Sequence, residues 1–240
     1  MRQFALISLL LSPLSPAVAV ELNDQLDLSL NVTALSDYRS RGQSQTLGDP
    51  ALQASATLAH SNGLYLGAWT SNVDFGFDYK ARQEVDYYAG YYWQMSADVS
   101  LDMGYVHYSY PRQSNFNFAE TYGILSAYGV SLGLQYADDF TDNQSYLWSY
   151  LGYATTLPAD VGLNLRYGKV DYKDPVLVSN SGSSRSNYNE WEVKLDRDLM
   201  GLNWSLSYVD SDMSKAECLN YLGFDDICGA AVVAGISKDF

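Results

Sequence analysis

Residues Leu26–Leu35 read LDLSLNVTAL, with Leu26, Leu28, Leu30, Val32 and Ala34 at one parity and Asp27, Ser29, Asn31 and Thr33 at the other. A period of two puts each set on its own face only if the backbone is extended. The same alternation recurs in Leu52/Ala54/Ala56/Leu58, Val85/Tyr87/Ala89/Tyr91, Val99/Leu101/Met103/Tyr105 and Val130/Leu132/Leu134/Tyr136. It continues in Val161/Leu163/Leu165/Tyr167, Trp191/Val193/Leu195, Leu202/Trp204/Leu206/Tyr208 and the closing stretch 232–240. Segments 64–72, 119–128 and 145–156 have strand composition, but alternation leaves their facing open. Together these make twelve strands.

The connections alternate in length. SDYRSRGQSQTLGDP, SNVDFGFDYKARQ, PRQSNFNF, KVDYKDPVLVSNSGSSRSN and DSDMSKAECLNYLGFDDICG are long, and DDFTDNQ is intermediate. Between them fall HSNG, QMSAD, Tyr128-Gly129, LPAD and DRDLMG, all short. Long loops at one end and tight turns at the other are the pattern of an up-and-down transmembrane β-barrel, whose strand number is even. A Greek-key sandwich has no reason to alternate this way. The fold expected is therefore all-β, a transmembrane up-and-down antiparallel barrel of about twelve strands, in one domain with no helical module and no linker.

Both ends of the chain fit that reading. MRQFALISLLLSPLSPAVAV has one Arg before an apolar run and closes on Ala17-Val18-Ala19, which reads as a signal peptide over 1–19, leaving the barrel as 20–240. Without Arg2 the balance is 13 basic against 28 acidic residues, a poor match for nucleic acid or for anionic lipid headgroups. The rest of the chain has no apolar run long enough for a membrane helix. In AAVVAGISKDF the alternation runs to Phe240, so the last strand is expected to close the cylinder against the first. Phe240 then lies on the lipid face as a C-terminal sorting signal for the barrel-assembly machinery, and Lys238 on the same face can snorkel to headgroups. The 21 Tyr and 5 Trp suit two wet membrane rims. Cys218 and Cys228 lack CxxC spacing; in an oxidising compartment they are expected to form one disulfide closing a surface loop, worth about 2 to 3 kcal/mol.

Several pieces of the first half also carry a family likeness. SDYRSRG (36–42), PALQ (50–53), GLYLGAWTSNVDF (63–75), EVDYYAGY (84–91) and GYVHYSYP (104–111) resemble the TorF family of proteobacterial porin-like proteins, formerly a domain of unknown function. The likeness covers nearly all of residues 20–240 and is generic in the second half. It implies an outer-membrane β-barrel acting as a passive channel, and it brings no catalytic residues or substrate. The Cys218 to Cys228 loop lies outside the motif.

If the apolar face meets lipid, the other face lines the lumen. Arg39 and Arg41 are then expected to extend the inward face of the first strand. Arg166 lines the ninth, Glu84, Asp86 and Asp102 the fourth and fifth, and Glu190, Glu192 and Lys194 the tenth. Such charges suit a water-filled pore, and their acidic excess favours cations or neutral solutes. In so narrow a barrel, opposing charges could instead pair and plug the lumen, and both outcomes stay open. Inward Tyr88 and Tyr92 read as rim or packing residues before sugar-stacking ones. An enzyme needs a base beside a nucleophile. His60 falls in a tight turn beside Asn62-Gly63, and His107 shares parity with the lipid face, so no triad is visible. The acidic pieces at 210–212 and 225–226 lack EF-hand spacing, so no metal or cofactor is expected. The sequence thus points to a non-enzymatic porin-like channel for small polar or cationic solutes in the outer membrane of a Gram-negative bacterium. Its expected partners are outer-membrane lipid, the assembly machinery and the solutes. The alternative is a closed barrel with a structural or adhesive role through its long loops.

Overall fold

The structure, a computed structural model, describes residues 19–240 apart from 78 and 142. Residues 1–18 of the expected leader lie outside the described residues. Among those described, twelve strands form the wall: β1 Leu26–Leu35, β2 Ala51–His60, β3 Leu64–Asn72, β4 Gln83–Gln94, β5 Val99–Ser109 and β6 Phe118–Ala127, then β7 Val130–Thr141, β8 Gln144–Leu157, β9 Val161–Tyr172, β10 Asn187–Leu199, β11 Leu202–Ser211 and β12 Ala231–Asp239.

Each strand pairs antiparallel with the next, and β12 returns to β1 with Gly235 opposite Leu35 and Asp239 opposite Asn31. The Phe240 amide then donates to the Leu30 carbonyl at 2.9 Å, and the Leu30 amide donates back at 3.3 Å. Beyond that point Val20–Asn23 folds onto β1, with Val20 opposite Leu28. Closure satisfies the backbone all round the wall, which a medium without water requires.

Register settles the three segments whose facing was open. Leu125 of β6 lies opposite Leu101 and Leu132, whereas Tyr122 lies opposite Gly104 and Gln135. Cross-strand partners share a face, so Leu125 points out and Glu120 and Tyr122 point in. By the same rule Leu64 and Leu66 of β3 face out and Tyr65 and Trp69 in, while on β8 Leu147 and Leu151 face out and Tyr146, Trp148 and Tyr150 in. The outer wall is apolar: Leu52 is 64%, Leu66 58% and Val232 64% exposed. Trp93, Tyr128, Tyr153 and Trp204 lie toward the short-turn end of this surface, and Tyr87, Tyr105, Tyr136 and Tyr208 lie higher. A continuous apolar band with aromatic residues at both margins is a surface for lipid.

At the other end the long loops turn inward and build the protein's apolar core in the mouth of the barrel. Tyr146, Trp148, Tyr172 and Tyr188 from the wall pack with Leu177, Met213, Cys218, Ile227 and Cys228 from the loops. A second cluster joins Tyr38, Val73, Ala81, Val106, Tyr108 and Tyr110. Phe77 and Phe224, 5.1 Å apart, bridge loops 73–82 and 212–230. The Cys218–Cys228 disulfide forms as expected, but it is buried in the first cluster and does not close a free surface loop.

Two details depart from the sequence reading. DDFTDNQ is mostly strand, so β7 and β8 make one long hairpin. Loop 212–230 also contains a helix, α1 Lys215–Leu222, where no helix was expected. Ser214 and Glu217 cap it reciprocally, and Gly223 ends it in the left-handed region at φ 85°.

Candidate functional site

The candidate site is the lumen at the level where loop 36–50 enters it. The loop folds on itself through Asp37. One carboxylate oxygen accepts from Ser44 Oγ (2.5 Å) and Thr46 Oγ1 (3.1 Å), and the other accepts from Arg39 Nε (2.6 Å). These bonds fix a tiny hairpin of Arg39–Ser40 and Gln43–Ser44. Its tip, Arg41-Gly42, has φ of 50° and 82°, as a two-residue hairpin turn demands. Gly42 also lies against the barrel wall, where a Cβ would sit 3.1 Å from that of Ser211 and 3.2 Å from that of Glu190.

Arg41 therefore does not extend the first strand, which ends at Leu35; it hangs from a loop turned into the lumen. Its guanidinium donates to Glu120 (2.6 Å), Gln135 (2.9 Å) and the Tyr146 hydroxyl (2.5 Å), and it lies over the rings of Tyr146 and Trp148 at about 5 Å. Glu120 also accepts from Tyr108 (2.7 Å) and from Tyr146. Tyr188 donates to the Arg41 carbonyl (3.0 Å) and accepts from Gln43 (2.8 Å). Arg39 likewise belongs to the loop, pairing with Asp37 and donating to the Gly229 carbonyl (2.7 Å). Further backbone bonds, Ser44 to Ile227 (2.9 Å) and Asp74 to Gln45 (2.9 Å), stitch the loop to its neighbours.

The other expected lining residues do face inward. Glu84 accepts from the Tyr38 (3.3 Å) and Tyr110 (3.1 Å) hydroxyls. Beside it, Asp86 is buried, and its Oδ1 has no hydrogen-bond partner among the described residues. Arg166 bridges Glu190 (3.1 Å) and Glu192 (3.0 Å), with Trp148 Nε1 donating to Glu190 at 3.2 Å. Asp102 sits nearer the short-turn end and accepts from Tyr65 (2.7 Å), which is bonded in turn to Tyr122. Lys194 projects inward from β10, half-buried. Tyr88 packs inside with its hydroxyl 2.5 Å from Thr57, whereas Tyr92 bonds Gln94 at the short-turn end. Both histidines lie at outward parity: His60 pairs with Leu26, and His107 with Tyr87.

Sequence reasoning missed Glu120, Gln135, Tyr146 and Trp148, which hold Arg41. All but Gln135 lie in segments of open facing. Carrying register across the Tyr128-Gly129 turn from the well-defined β7 would have turned Glu120 inward. A second regularity is the flat tyrosine: at Gly133 an added Cβ would fall 2.1 Å from the Tyr150 ring, so the glycine is the bed on which that ring lies.

At this level five acidic side chains, Glu84, Asp86, Glu120, Glu190 and Glu192, face Arg41 and Arg166. The lumen is electronegative and is crossed by a bonded loop.

The bacterial family described as a protein of unknown function, Gcw_chp, matches residues 20–240. No curated protein is similar enough in sequence to match the chain. Among solved structures, a KdgM porin is similar with TM-score 0.52 at 13% identity, over 88% of this chain and 99% of that one. A KdgM porin in complex with disordered oligogalacturonate gives TM-score 0.51 at 12% identity, over 88% and 99%. A NanC porin gives TM-score 0.53 at 13% identity, over 87% and 97%. At such identities the likeness is one of fold.

Proposed function

The chain belongs to the bacterial Gcw_chp family, whose function is unknown, and for this member we propose a porin-like passive channel of the outer membrane for small polar or cationic solutes. The observation that carries the reading is the charge balance of the lumen, where buried carboxylates outnumber the arginines that face them. A narrow conduit with such a wall favours cations and resists anions. The fold shared with porins and the likeness of the first half to the TorF family support the same reading. Oligogalacturonate, the ligand of one similar barrel, is an acidic oligomer; this lumen is the wrong sign for such a solute.

Loop 36–50 is the constriction of this channel. Its tip is held by one buried ion pair and by hydrogen bonds, so the closed arrangement is a state that can open. A second reading, a closed barrel with a structural or adhesive role, is favoured by the same stitching of the loop to the wall and to the outer cap. The two separate on substitution of the lining. Replacing Glu84 and Asp86 by Lys shifts the reversal potential under a salt gradient toward anions if they line the path. Unchanged selectivity in a conducting variant would take them out of it.

A further inference from the structure

On the outer wall, at the long-loop end of β2 to β5, lies a groove of about 410 Å³ lined by Leu52, Thr70, Asn72, Gln83, Pro111 and the two arginines Arg82 and Arg112 among others. It exists because loop 73–82 turns into the mouth, burying Val73 and Ala81, and so leaves a notch between Leu52 and the turn 110–113, where Tyr110 is buried and Pro111 and Arg112 are exposed. Leu52, Thr70 and Gln83 have the parity of the lipid face, so the notch opens sideways toward the membrane. Its floor is polar and ordered: Gln83 donates to Thr70 (3.0 Å), and Asn72 accepts from the Leu52 amide (2.7 Å) and donates to the Pro50 carbonyl (3.0 Å).

The charge here runs against that of the chain. With 14 basic residues against 28 acidic, the protein nonetheless places Arg82 and Arg112 on one rim groove. Arg82 is engaged on one side by the exposed Asp74 (2.9 Å). Arg112 is exposed and makes no hydrogen bond or ion pair with another described residue. Lys169, on the outward parity of β9, is instead matched by Asp171 at 2.7 Å.

We propose that this groove binds a phosphorylated glycolipid of the outer leaflet, its phosphate held by Arg82 and Arg112 and its acyl chain descending over Leu52. Guanidinium groups suit phosphate because their planar donors engage two oxygens at once. A rim that joins arginines, amide side chains and an apolar wall matches a headgroup that is anionic above and hydrocarbon below. The inference rests on the outer-membrane reading.

The test uses the full barrel, refolded into detergent, with lipid A and its dephosphorylated form added in equal amounts, and bound lipid counted by native mass spectrometry. Wild type is expected to retain the phosphorylated lipid, and Arg82→Ala with Arg112→Ala to lose it about tenfold, the loss expected for a charge-assisted contact. Lys169→Ala should leave retention unchanged. Both arginines are exposed, so the double variant keeps its fold. Insertion of each variant into lipid vesicles is followed separately. Failure of wild type to insert would count against the membrane reading. Normal insertion with equal lipid retention in wild type and double variant would overturn the groove alone. Equal retention of lipid A and of its dephosphorylated form by the wild type would also overturn it, since the arginines would then read no phosphate.

Discussion

Replacing Arg41 by alanine should release loop 36–50 without dismantling the wall. The Arg41 side chain is 15% exposed and its partner Glu120 is fully buried, so the substitution leaves a carboxylate in the interior without its cation. Breaking a buried pair costs about 3 to 5 kcal/mol. Glu120 keeps its bonds from Tyr108 and Tyr146, which points to the lower figure. Because Arg41 hangs from the loop and Glu120 from β6, that cost falls on the loop's closed position. About 3 kcal/mol is a shift of more than about a hundredfold in the closed-to-open ratio. Hydrogen exchange reads it directly: the Ser44 amide, bonded to the Ile227 carbonyl, and the Asp74 amide, bonded to the Gln45 carbonyl, are exposed when the loop leaves. Their exchange should accelerate by that factor in the variant while amides of β9 and β10 are unchanged. Adding Glu120→Gln, which removes the stranded charge, should bring the rate part of the way back. Unaltered exchange at Ser44 and Asp74 in a folded Arg41→Ala variant would refute the claim that this pair holds the loop.

Deleting Phe240 removes two backbone bonds to Leu30 at the barrel seam, and it should slow assembly into vesicles followed by gel mobility; assembly at the wild-type rate would remove the residue from that role. Replacing Cys218 and Cys228 by serine opens a ten-residue link in the outer cap and should weaken the cap by about 2 to 3 kcal/mol, seen as faster proteolysis within 212–230. Arg185 donates to Glu217 at 2.6 and 3.0 Å, and this partner, with the Ser214 cap, pushes the Glu217 carboxyl down to about 2 from its ordinary 4.5. A depressed value means that the carboxylate stabilises the cap fully above about 4.5 and loses that contribution as the pH falls toward 2. The difference in proteolytic resistance between wild type and Glu217→Gln should accordingly be present at pH 6 and vanish near pH 2.

The wall was legible because alternation is a local property. Leu26 to Ala34 or Val130 to Tyr136 need no partner to declare their faces, and the lengths of the connections divided the two ends. Facing failed where the apolar set was mixed, as in FAETYGILSA, and there it is fixed by pairing with neighbours. The inward loop was not legible. SDYRSRGQSQTLGDP has no periodicity, and Arg41 meets Glu120 and Tyr146 across 79 and 105 residues of chain. Inward parity and strand register agree that Glu84, Asp86, Asp102, Arg166, Glu190, Glu192 and Lys194 face the interior. Parity misassigned Arg39 and Arg41 because it ceases to carry information once the strand ends at Leu35. The helix in loop 212–230 did carry a local signal, the Ser214-x-x-Glu217 box followed by Gly223.

The most direct test of the central claim is single-channel recording of the refolded protein and of Arg41→Ala in a planar bilayer under a salt gradient. A channel closed by loop 36–50 gives infrequent, cation-favouring steps in the wild type and a higher open probability in the variant. Silence from both, with circular dichroism showing folded β-structure, would contradict it.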